Sequence, residues 1–299
     1  MKLEGLHILL TFQCNYECDH CFVWGSPWQT GTLTLEQIEK ILEQAKEADV
    51  TSVYFEGGEP FLYYAILLQA VRKAADMGFS VGIVSNAYWA NSVADAEEWL
   101  RPFVGRLADL TVSSDLFHCS EAMGELPQNA LVAAKWLNIP TGMINVAQPN
   151  ADAEQSHGQI EEESAVMYRG RAVEKLASRA TRHPWERFDS CPHENLREPG
   201  RIHLDPLGNL HLCQGLVIGN LFEKPLKQIC EEYDADAHPI SGPLIEGGPA
   251  ALVTEYNLPH KFFYTDACHL CYEARISLRA RFPKQLSPDQ MYGVMNDRE

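Results

Sequence analysis

The first 182 residues repeat one pattern: a short apolar run, a break rich in Gly, Asn, Asp or Ser, then a stretch whose apolar residues recur at helical spacing. The apolar runs are GLHILLTF, SVYF, SVGIV, DLTVS, TGMINV and AVMY. Between them lie TLEQIEKILEQAKEA, YAILLQAVRKAADMG and helical segments near Asp95–Leu100, Asn129–Trp136 and Ala172–Arg182. In the first helix Thr34 is a candidate N-cap with Gln37 as its capping-box partner, and Leu35, Ile38, Ile41, Leu42 and Ala45 form the apolar stripe. Gly78 is the expected stop of the second. Strand–helix alternation with short connections predicts parallel strands joined by right-handed crossovers. A doubly wound sheet and a barrel both satisfy it.

After about His183 the pattern stops. Arg201–Leu204 and Leu210–Cys213 read as a hairpin around a Pro-Leu-Gly-Asn turn. A short helix PLKQICEEY, a Gly/Pro-rich loop Ala237–Pro249 and a final helix after Cys271 follow. The expected division is residues 1–183 and a smaller, irregular unit at 184–299.

Parallel α/β folds gather reactive groups at the carboxyl ends of their strands. Each apolar run here ends on such groups. Cys14, Cys18 and Cys21 follow the first, Glu56-Gly57-Gly58-Glu59-Pro60 the second and Asn86 the third. Ser114, Asp115, His118 and Cys119 follow the fourth, and Arg169 and Arg171 the sixth. Three thiolates in a compact loop suit a [4Fe–4S] cluster that leaves one iron open. Structural zinc is the competing reading, but zinc loops favour a C-x2-C pair completed by a distant pair.

C-x3-C-x2-C after the first strand, together with GGEP after the second, resembles the radical S-adenosylmethionine (SAM) superfamily over about residues 5–182. The resemblance implies a partial (β/α)6, TIM-like barrel with Cys14, Cys18 and Cys21 on the cluster. It implies that His20 helps seat the adenine and that Gly57, Gly58, Glu59 and Pro60 approach the methionine amino group. Asn86, Ser114 and Asp115 would meet ribose or carboxylate, and Arg169 or Arg171 the same carboxylate. It implies reductive cleavage of SAM to a 5′-deoxyadenosyl radical that abstracts hydrogen, with a flavodoxin- or ferredoxin-type reductant. Cys119 beside His118 could return a hydrogen atom to a substrate radical; a buried small hydrophobe is the plainer reading of that cysteine.

The later cysteines, Cys191, Cys213, Cys268 and Cys271, stand in the order C…G-x4-C…C-x2-C. This resembles the Twitch subdomain, the shorter relative of the SPASM extension, and implies a second, fully thiolate-ligated [4Fe–4S] cluster in an iron–sulfur subdomain. A structural zinc held by the same four cysteines is the alternative. Cys230 reads as a core residue of its short helix.

With 24 basic against 41 acidic side chains the chain carries a net charge of −17, which disfavours nucleic acid and anionic membranes as partners. No apolar run reaches the roughly 18 residues of a membrane span, and the N-terminus lacks the form of a signal peptide, so a cytoplasmic protein is expected. The substrate expected from Twitch- and SPASM-type relatives is a peptide or protein side chain, to be oxidised, crosslinked or epimerised. A small-molecule dehydrogenase or epimerase is the second reading, and a non-catalytic iron–sulfur or zinc scaffold the third.

Overall fold

A computed structural model describes residues 1–114, 117, 125–149 and 164–294. The barrel half begins with strand β1 (Leu3–Thr11), helix α1 (Leu35–Glu47), β2 (Ser52–Gly57), α2 (Tyr64–Asp76), β3 (Ser80–Ser85) and α3 (Val93–Leu100). It continues with β4 (Asp109–Ser113), α4 (Glu125–Trp136), β5 (Thr141–Ile144) and α5 (Arg171–Lys175). The C-terminal part contains β6 (His183–Pro184), β7 (Gly200–Leu204), β8 (Asn209–Cys213), β9 (Leu216–Asn220), α6 (Leu226–Glu232), α7 (Ser241–Glu255), β10 (Phe263–Tyr264) and α8 (Ala267–Leu278).

One sheet runs through both parts, in the order β5-β4-β3-β2-β1-β7-β8-β9. The first five strands and β7 run parallel to one another; β8 pairs antiparallel with β7 and with β9. β1 therefore lies between β2 and β7, and Leu6, Ile8, Leu9 and Leu10 are buried because helices and loops cover both of its faces. Helix α1 starts as its sequence requires. Thr34 accepts from the Gln37 amide at 3.2 Å and Gln37 accepts from the Thr34 amide at 2.9 Å, closing the capping box. Ile38, Ile41, Leu42 and Ala45 face the sheet, whereas Leu35 in the first turn is exposed.

Four expectations need correcting. AVMY forms no sixth barrel strand; Ser164 makes a single parallel bridge to Val146. The segment is drawn elsewhere. The Tyr168 amide donates to Asp266 at 3.1 Å and the Arg171 amide to Cys21 O at 3.0 Å. The helix expected to Arg182 ends at Lys175, followed by a 3-10 turn at Ala177–Arg179. The loop expected at Ala237–Pro249 is largely α7, kinked at Gly247 and Gly248. Gly248 has φ +63°, and a Cβ there would stand 2.2 Å from the Ser190 amide nitrogen, so the kink fits closely against the chain just before Cys191. Finally, α8 begins at Ala267, so Cys268 and Cys271 lie on the helix rather than ahead of it.

Candidate active site

Cys14, Cys18, His20, Cys21, Gly57, Gly58, Asn86 and Arg169 all line one cavity of about 300 Å³ at the carboxyl ends of the parallel strands. Cys14 and Cys18 are buried and Cys21 is partly buried. Amide hydrogens point at the sulfurs: Tyr16 N lies 3.4 Å from Cys14 Sγ, Gly25 N 3.3 Å from Cys21 Sγ, and Asn86 Nδ2 3.6 Å from Cys14 Sγ. Such donors favour a thiolate over a thiol. Burial first, with the charges of Glu59 and Cys21 and against the Tyr16 and Asn86 donors, pushes the Cys14 thiol up to about 12.

The GGEP turn is built for close approach. Gly57 has φ +139°, and a Cβ there would sit 2.3 Å from Thr11 O; on Gly58 it would sit 2.0 Å from Gln13 O. Only glycine lets this turn lie against the start of the cysteine loop. Glu59 does not line the cavity. Its fully buried carboxylate accepts from the Phe61 amide at 3.0 Å, Ser85 Oγ at 3.0 Å and the Asn86 amide at 2.8 Å. It thus clamps the β2 turn to the β3 turn, and burial, opposed by those three bonds, raises it to about 7. Pro60 is buried at the start of a 3-10 turn, behind which Phe61 stacks on Trp89 at 4.5 Å.

Other candidates are redirected. Arg171 is buried and donates to Cys18 O and Gly25 O, each at 2.8 Å, so it braces the cysteine loop. Asn86 lines the cavity, but its amide also donates to Asn15 Oδ1 at 2.9 Å and so ties the β3 turn to the cysteine loop. Ser113 rather than Ser114 lines the cavity; Ser114 contributes a backbone bond to Ile144. The His20 ring stands 4.9 Å from that of Phe117. Asp115, His118 and Cys119 lie outside the described residues.

Cys191, Cys213, Cys268 and Cys271 line a second, smaller cavity of about 30 Å³, together with Arg169 and Arg275. Arg169 borders both cavities. Its Nη1 donates to Cys213 Sγ at 3.1 Å, with Glu194 at 3.7 Å and the Phe22 ring beneath it at 5.0 Å. Arg275 was not singled out in the sequence. It is 1% exposed, donates to Gln214 O, and has no carboxylate within ion-pair distance among the described residues. Burial disfavours its charge, yet the surrounding thiols, Cys271 first, hold it above the ordinary arginine range. A buried guanidinium needs a counter-charge, and these cysteines as thiolates supply it. The one signal in the sequence was its place four residues after Cys271, on the same helical face. Burial raises the Cys271 thiol to about 11 against the lowering effect of Arg275.

Sulfurs around one zinc ion, each bonded at ~2.3 Å, would stand about 3.8 Å apart. Among the described residues only one group of three or more His, Cys, Asp or Glu ligand atoms lies mutually within 4.8 Å, and it contains no cysteine. Among the described residues, neither cysteine set closes to the spacing of a single tetrahedral ion.

Residues 8–112 match the family described as the Radical SAM superfamily. The match runs from β1 to β4, about a third of the chain. Similar curated proteins include the putative peptide biosynthesis protein YydG of Bacillus subtilis (strain 168), 31% identical over 120 residues, which are 40% of this chain and 38% of that protein. The S-adenosylmethionine-dependent nucleotide dehydratase of Fibrobacter sp. (strain UWH6) is 28% identical over 36% of this chain and 32% of its own length. The matched stretches thus span about a third of these relatives. Among solved structures, native anSMEcpe with bound AdoMet and Cp18Cys peptide superposes with a TM-score of 0.54 at 13% identity, covering 94% of this chain and 97% of that one. That likeness shows the fold: the parallel sheet of a radical SAM partial barrel with a C-terminal antiparallel region. A radical SAM domain implies a [4Fe–4S] cluster and SAM. No helix among the described residues is long and apolar enough to cross a membrane.

Proposed function

We propose that this chain is a radical SAM enzyme that modifies a peptide or protein side chain. In this reading Cys14, Cys18 and Cys21 hold the SAM-cleaving cluster in residues 1–183, and Cys191, Cys213, Cys268 and Cys271 hold a second cluster in residues 184–299. When bound, the first cluster and SAM supply a 5′-deoxyadenosyl radical able to take hydrogen from an unactivated C–H bond. The chain's own residues prepare for this. Gly57 and Gly58 leave backbone bare at the cavity wall, and Glu59 fixes that turn against Asn86. Arg171 and the amides of Tyr16 and Gly25 hold the cysteine loop in shape. Val84, Ile144, Val146 and Met167 give the cavity apolar walls, which keep water from a reactive species.

The observation that carries the reading is the convergence of the three cysteines, the glycine turn and Asn86 on one cavity. The peptide substrate class is supported by YydG's printed role and by the peptide bound to anSMEcpe. The test is incubation of anaerobically reconstituted protein with SAM and dithionite, or a flavodoxin- or ferredoxin-type reductant. Formation of 5′-deoxyadenosine, lost in a Cys14/Cys18/Cys21→Ala variant, is the expected result. Its absence from the wild type would sink the proposal, and mass change in a nucleotide rather than a peptide would move the substrate class.

A further inference from the structure

Besides the two sets of cysteines, three side chains from adjacent strands meet on one face of the sheet. His7 on β1 pairs in register with Tyr54 on β2 and with His203 on β7. Glu56 lies two residues past Tyr54, so the strand's period of two puts it on the same face. His203 Nε2 lies 3.1 Å and His7 Nδ1 3.5 Å from Glu56 Oε1. These three atoms form the group whose members lie mutually within 4.8 Å.

Both contacts are ion pairs at most, without the alignment of a good hydrogen bond. Glu56 Oε1 and His7 Nδ1 are shielded from solvent and have no hydrogen-bond partner. Buried polar groups left unpaired are costly. Three ligand atoms brought together from three strands are spaced as the ligands of one ion would be. Around a tetrahedral ion with bonds of ~2.0–2.1 Å, neighbouring N and O ligands stand about 3.3 Å apart. The 3.1 and 3.5 Å separations straddle that spacing.

The rings are also held in place. Tyr54 stacks on His7 at 4.9 Å and 11°, and the edge of Phe22 meets His203 at 6.0 Å. Gly82 on β3 makes room for Tyr54, since a Cβ there would come within 2.2 Å of its ring. Glu56 borders the main cavity, so a fourth coordination position would open toward it.

We propose that His7, Glu56 and His203 bind one divalent first-row transition metal ion, with an open position facing the active-site cavity. Two imidazoles and a carboxylate suit Zn²⁺ or Fe²⁺, and the site needs no thiolate. Its open position would take an oxygen ligand, either water or a substrate carbonyl. The proposal does not depend on the radical SAM reading.

The test uses the cluster-loaded protein, freed of loose metal, equilibrated with micromolar Zn²⁺ and desalted before zinc and iron are counted. Wild type is expected to keep one zinc per chain. Glu56→Gln and His203→Phe are expected to keep none, with iron unchanged. X-ray absorption at the zinc edge of the wild type alone should show a nitrogen and oxygen shell with histidine scattering, which decides the matter even if a variant misfolds. No retained zinc in wild type, equal zinc in the variants, or a sulfur shell would each overturn the assignment.

Discussion

The two cysteine sites solve opposite problems. Three sulfurs on one short loop border a cavity of about 300 Å³, whereas four sulfurs gathered from distant segments enclose about 30 Å³. The first leaves space for a second molecule; the second leaves none. Their supports differ as well. The loop around Cys14, Cys18 and Cys21 is braced by neutral amides and by Arg171 on its carbonyls, while the C-terminal set faces the side chains of Arg169 and Arg275. An open site with neutral donors suits reaction, and a closed site with buried cations suits storage or relay of charge. Arg169, bordering both, is the one side chain shared between them.

The sharpest way to break this contrast is to remove one site at a time. A Cys14/Cys18/Cys21→Ala variant is expected to lose SAM cleavage entirely and about half of an iron content near eight. A Cys268→Ala/Cys271→Ala variant is expected to lose the other half yet still release 5′-deoxyadenosine. Chromatography of the nucleoside and iron analysis check both. Equal loss of cleavage in the two variants would mean the sites are not separable.

Next in size is Arg275→Leu. If the proposed second cluster is present, removing this cation leaves buried thiolate charge less compensated, a cost of about 3–5 kcal/mol. Denaturation of the cluster-loaded protein should show that loss along with depletion of C-terminal iron only. An unchanged midpoint would show that the guanidinium is not paired with thiolates.

Glu59 tests the open site by pH. Its carboxyl rises from 4.5 to about 7 in the fold, so the fold favours the protonated form. That contribution is full below about pH 4.5 and is lost as pH rises through about 7, on the order of 3 kcal/mol. Glu59→Gln should flatten that part of the stability profile; an identical slope in the variant would contradict the clamp. Smallest is Thr34→Ala, which opens the α1 capping box and should cost about 1 kcal/mol while leaving both iron sites intact.

What could be read from sequence was local. The α1 cap, the bounds of β4 and the hairpin near Cys213 each depend on residues within one element. The cysteines stood out because thiols in tight spacing are rare. What escaped was decided across the chain. AVMY has the composition of a strand, but Asp266 and Cys21 claim its neighbourhood. The glycines and proline near Gly247 look like a loop and instead kink a helix over the Cys191 segment. Arg275 and the His7–Glu56–His203 group acquire meaning only once α8 and β7 are docked, because no periodicity reports which polar residues a register brings together.

The contrast between an open and a closed site is tested most directly by electron paramagnetic resonance of the reduced protein with and without SAM. In the Cys268→Ala/Cys271→Ala variant the remaining signal should shift when SAM is added. In the Cys14/Cys18/Cys21→Ala variant the remaining signal should ignore SAM. A C-terminal signal that responds to SAM, or no signal at all in that variant, would contradict the account.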